Sequence, residues 1–141
     1  MKSRAAARNG QALKRSERGA AAIEFALVLP VLLLVIAGIV DFGRAFFTQI
    51  ELTNAAREGA RAAVVSGTTA AAIEARAGAS APGLPSLDTT AITCGTSVGN
   101  ATVSASTDFE WILLEPAMSL FGAGDALPVT LSATAVMKCG G

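Results

Sequence analysis

The sequence has no histidine and no tyrosine, only one tryptophan, and charged residues fill just 16% of its 141 positions. Without histidine it lacks the commonest general base and the commonest neutral metal ligand, so acid-base catalysis near neutral pH would need a shifted carboxylate or lysine. No nucleophile is paired with a base, and Gly122-x-Gly124 is a lone glycine pair without the Lys-Ser/Thr that phosphate loops carry. The expectation is therefore no enzyme, no catalytic residue, no metal or cofactor, and no small-molecule substrate. At 52% hydrophobic residues the chain is too apolar for disorder or for an ordinary soluble domain of this length. Its size leaves room for one domain with appendages.

A net charge of zero hides an asymmetry. Residues 1–19 hold Lys2, Arg4, Arg8, Lys14, Arg15 and Arg18 against Glu17 alone, while the rest of the chain holds five cations against ten acids. Such an arm could neutralise nucleic-acid phosphates, but it has no aromatics and leads directly into an apolar run, as a positive-inside membrane flank does. No nucleic-acid partner is expected. From Phe25 to Val40 no residue is charged, and the apolar stretch begins at Ala20 if Glu24 is tolerated inside it. Counted from Ala20, such a helix is roughly 31 Å long, enough for a hydrocarbon core of about 30 Å.

A cleavable secretory signal would end in a small-residue motif on the far side of this run. Here the far side reads Val40-Asp41-Phe42-Gly43-Arg44, so the apolar segment is expected to stay in the mature protein. The near side reads Arg18-Gly19-Ala20-Ala21-Ala22-Ile23-Glu24-Phe25: a basic leader ending in glycine, an acid five residues on, then an aromatic. A carboxylate inside a membrane helix costs a few kcal/mol unless paired, which makes Glu24 a functional candidate. The plainer reading is that it snorkels to the interface.

The junction resembles the processing site of type IV prepilins. The longer stretch from Gly19 to Val64 is similar to the start of TadE-like pseudopilins of bacterial tight adherence (Flp pilus) systems, most specifically at the junction and at Asn54-Ala55-Ala56-Arg57-Glu58-Gly59-Ala60-Arg61. The resemblance implies a prepilin peptidase that cuts between Gly19 and Ala20, with Glu24 and Phe25 as the matching acidic and aromatic positions. It also implies other pilins or pseudopilins and the Tad secretion machinery as partners, and an inner-membrane location with the N-terminus cytoplasmic and the C-terminal domain periplasmic. The implied function is that of a minor pseudopilin in pilus assembly. The alternative is an uncleaved single-pass anchor that presents an extracytoplasmic adhesin or accessory domain.

Beyond the apolar run, helix formers and the absence of proline predict one helix from about Ala22 to Val65, irregular at Pro30. Asp41 with Arg44, and Glu58 with Arg61, are spaced for weak local pairs. Ala55, Gly59 and Ala63 fall four apart, a small-residue stripe on which a helix or sheet can come close and which is assigned with Glu24 to assembly. Thr68 or Thr69 can cap a short helix to about Ala77, and a Gly/Pro linker follows. Alternation predicts strands over Val103–Phe109 and Val129–Ala135, with a third near Leu87–Thr93. Trp111 to Phe121, closed by Gly122-Ala123-Gly124, is too apolar for a free loop: it either plugs the base of the sheet or meets a partner or membrane surface. Cys94 and Cys139, on the side opposite the leader, are expected to form a disulfide. A metal pair would lack further ligands, and a redox pair would lack C-x-x-C.

The resulting expectation is an α+β, type IV pilin-like fold: a long transmembrane-to-periplasmic helix on a small antiparallel sheet. It divides into a basic cytoplasmic leader (1–19), a transmembrane helix (20–41), its extracytoplasmic continuation (42–66), a short helix and linker (67–86), and a disulfide-tied sheet (87–141).

Overall fold

A computed structural model describes the backbone of residues 6–94, 99–120, 122 and 129–140, and side chains within these from Gly19 onward. The side chains of the basic leader lie outside the described residues, as do Phe121, Ala123 and Gly124 at the closure of the apolar segment. The fold is α+β. A long helix, α1 (Ala6–Ala63), is followed by α2 (Ala70–Ala79), β1 (Asp88–Ile92), β2 (Asn100–Phe109), α3 (Leu114–Ser119) and β3 (Val129–Lys138). The three strands form one antiparallel sheet in the order β1-β2-β3.

α1 begins well before the expected Ala22, inside the leader, because Gln11-Ala12-Leu13-Lys14-Arg15-Ser16-Glu17-Arg18 consists almost wholly of strong helix formers. It runs unbroken through Pro30 and stops at Ala63, two residues short of the expected end. A turn closed by Val65 N–H to the Ala62 carbonyl follows, and Gly67 sits at φ 79°, a left-handed backbone that glycine adopts without strain. Thr69, rather than Thr68, caps α2: its hydroxyl accepts from Ala72 N–H at 3.3 Å.

The period-two pattern of β2 is realised in full. Ala101, Val103, Ala105, Thr107 and Phe109 are buried toward α1, and the residues between them face outward. β3 presents Leu131, Ala133, Ala135 and Met137 to the same side and extends three residues past Ala135. The residues that fill the space between sheet and helices are mostly alanines, with Leu52, Ile73 and Val103 the largest apolar side chains fully enclosed.

Close approach explains the small-residue stripe. Ala55, Gly59 and Ala63 are buried against the chain's own sheet and α2. A Cβ built on Gly59 would lie 2.9 Å from Val103 Cγ1 and 3.5 Å from Ala77 Cβ, so α1, α2 and β2 meet at a point where only hydrogen fits. Gly59→Val is expected to lower stability by about 1–3 kcal/mol through overpacking, read as a lower thermal midpoint of the full chain in detergent. An unchanged midpoint would show that the contact can relax.

The apolar segment after β2 departs from the plug reading. α3 has no buried residue and packs on α1 rather than beneath the sheet.

Candidate functional site

Three features of the chain bear on function: the junction at the start of the apolar helix, the surface of that helix, and the joint where it meets the distal domain.

At the junction, Gly19 and Ala20 lie within α1 and are exposed, as are Glu24 and Phe25. Nothing lies within 4 Å of a Cβ built on Gly19. Ala20 and Glu24, four residues apart, share one face of the helix.

Among the described residues one helix is long and apolar enough to cross a membrane, Gly19–Ala63, and only 6% of its most apolar stretch is buried within the chain. A core helix of a soluble domain would be mostly covered. Here Ile23, Leu27, Leu33 and Ile39 are each more than half exposed, on every side of the helix. A surface of this kind requires lipid or neighbouring helices around it.

The joint was not legible as a site in the sequence. Asp41, fully buried, directs Oδ1 to Arg44 Nη1 at 3.2 Å, the local pair that the spacing predicts. Its Oδ2 accepts Leu113 N–H at 2.9 Å and Leu114 N–H at 2.8 Å, from the other end of the chain. Leu113, the residue before α3, has no side-chain oxygen with which to cap it, and a carboxylate from α1 takes its N–H and that of Leu114 instead. Arg44 also donates to the Glu110 carbonyl at 3.3 Å and lies over the Phe109 ring at 5.1 Å. Trp111 stands edge-on to both Phe42 (5.4 Å) and Phe109 (5.1 Å). One signal could have exposed this: an acid at the end of an apolar run, and a helix start at Leu114 preceded by a residue that cannot cap it.

The second predicted pair, Glu58 with Arg61, is present at 3.9 Å, but Glu58 also holds Arg76 of α2 at 3.3 Å. Nothing in the local spacing gives notice of that tie between helices. Cys94 and Cys139 form a disulfide that links the exit of β1 to the end of β3.

In comparisons with known proteins, the family model described as TadE-like protein matches residues 19–61. No curated protein and no solved structure matches the chain. The match starts at the glycine of the junction, runs the length of the exposed helix and ends within the small-residue stripe, leaving the sheet outside it. Over that helix the chain is similar to the TadE-like family.

Proposed function

We propose that this protein is a minor pseudopilin that serves assembly of a tight adherence pilus after a prepilin peptidase removes the leader between Gly19 and Ala20. The observation that carries the reading is that the TadE-like match opens at Gly19 and covers a helix whose apolar surface the chain leaves bare. No chemistry of its own is required. The leader's six cations against one acid favour its retention on the cytoplasmic side, which leaves the disulfide-bonded domain on the oxidising side.

The scissile bond lies inside α1, so cleavage requires local unwinding. Gly19 lowers that barrier, since glycine is about 1 kcal/mol less favourable than alanine in a helix and has no side chain against its surroundings. Cleavage would create an amine on Ala20, one helical turn from Glu24. Paired with that amine, or with the amine of a sister molecule, Glu24 turns from a burden of insertion into a register signal between bundled helices. Assembly through the helix then rests on Glu24, because Ala55, Gly59 and Ala63 are already occupied within the chain.

Intact-mass measurement of the membrane-extracted protein tests the processing step. A chain beginning at Ala20 is the expected result; retention of the full leader in a cell with an active peptidase would instead favour the uncleaved anchor. Glu24→Ala is expected to leave insertion intact while recovery with the pilus apparatus falls roughly tenfold or more, as a charge-assisted pair worth about 1.5–3 kcal/mol is lost. Unchanged co-recovery would remove Glu24 from assembly.

A further inference from the structure

We propose that the segment from Trp111 to Leu120 lies in the membrane interface, embedded beside the outer end of α1, so that the distal domain is held against the bilayer by a second apolar element. The proposal rests on α1 crossing the membrane and adds where α3 sits.

Depth comes from the face of α1 that carries Asp41, to which the start of α3 is fastened. Leu34, Ala37, Gly38 and Asp41 are spaced i, i+3, i+4, i+7, which places them on one stripe of the helix. That stripe loses exposure, to 7% at Ala37 and 0% at Asp41, while Ile36, Ile39, Val40 and Phe42 around it stay between 43% and 68% exposed. Leu34 is seven residues, about 10 Å, deeper along the helix than Asp41. The less exposed stripe therefore descends into the apolar run, and α3, packed on α1 and fastened to Asp41 at Leu113 and Leu114, stands at its upper end. Away from the stripe, Phe46, Phe47 and Ile50 are 60% to 70% exposed, so the apolar band does not stop at the level of Asp41.

The chemistry of the segment agrees with that depth. α3 buries none of its own residues, and Ile112, Leu113 and Leu120 are 57%, 42% and 84% exposed. In water these side chains would form an unsupported apolar patch beside a helix that is itself bare. In the interface they continue the apolar surface of α1. Trp111, half-buried between Phe42 and Phe109, then occupies the headgroup level, where amphipathic aromatic rings concentrate. Leu113 and Leu114 N–H groups could not be left free at that depth, and Asp41 satisfies both.

Trp111 is the chain's single tryptophan, which makes depth measurable without altering the protein. The full chain is reconstituted at low protein-to-lipid ratio into phosphatidylcholine vesicles brominated near the headgroup. A second protein, W111F/L120W, moves the indole to the far end of the segment. Both are expected to be quenched severalfold more by the brominated lipid than by aqueous iodide. Iodide quenching of the Leu120→Trp indole without bromolipid quenching would overturn the placement, as would protection from both quenchers, which would mean that a second copy covers the segment. If the unaltered chain fails to float with vesicles, the membrane reading of α1 falls as well; if it floats and position 120 is in water, only the placement of α3 fails.

Discussion

Replacing Cys139 with serine is expected to lower the stability of the distal domain by about 4 kcal/mol, the chain-entropy cost of opening a loop of about 45 residues. An effect of that size is large here because the domain has few other sources of stability. The core between sheet and helices is lined by Ala101, Ala105, Ala133, Ala135, Ala55 and Ala60, whose methyl groups each remove little apolar surface from water. The loss should also be uneven. β1 is only five residues long, pairs with β2 alone and leaves the sheet two residues before Cys94. The disulfide joins that exit to the end of β3, across the end of β2 where Cys139 N–H meets the Gly99 carbonyl at 2.8 Å. It thus staples both edge strands at the same end of the sheet. On Cys139→Ser, or on reduction, hydrogen exchange should accelerate first in β1, and the thermal midpoint of the full chain in detergent should fall by roughly 15–30 °C. A midpoint within a few degrees of the parent would mean that packing, not the cross-link, holds the sheet. Nonreducing electrophoresis of the full chain gives the simpler check: two free thiols would remove the premise.

Features whose cause is local were legible in the sequence. The apolar run is contiguous, so its length and lack of charge mark a helix long and apolar enough to cross a membrane before any tertiary contact is known. β2 and β3 alternate because one face of each is turned to α1, and that alternation is written residue by residue in Val103-Ser104-Ala105-Ser106 and Leu131-Ser132-Ala133-Thr134. Thr69 caps α2 from within its own segment. The parts that were not legible depend on residues far apart in the chain. The stripe at Ala55, Gly59 and Ala63 shows that something comes close, but small residues look the same whether the partner is another molecule or Val103 and Ala77 of the same one. The local pair of Asp41 with Arg44 concealed a longer reach, because a carboxylate has a second oxygen and sequence spacing accounts for only one. For the same reason the sequence of the segment from Trp111 leaves both a plug and a surface open: its apolar character is local, and the carboxylate that fastens it is not.

Asp41→Ala is expected to release α3 from α1 while leaving the sheet folded. The substitution removes two charge-assisted hydrogen bonds from backbone donors and the anchor for Arg44, and it leaves the N–H groups of Leu113 and Leu114 without an acceptor, a local cost of about 2–4 kcal/mol. Neither buried cluster between α1 and the sheet includes a residue of α3, so the loss is a local opening and not a global one. Trp111 reports it directly. Freed from Phe42, its emission should shift to the red and its near-ultraviolet dichroism should weaken, with the thermal midpoint of the sheet nearly unchanged. Asp41→Asn separates geometry from charge: the amide oxygen can still accept from the first turn of α3, but it faces Arg44 without an opposing charge, so the expected effect lies between Ala and the parent. Equal effects of Asn and Ala would place the whole contribution in the charge, and an unaltered Trp111 signal in Asp41→Ala would show that the aromatic contacts hold α3 on their own.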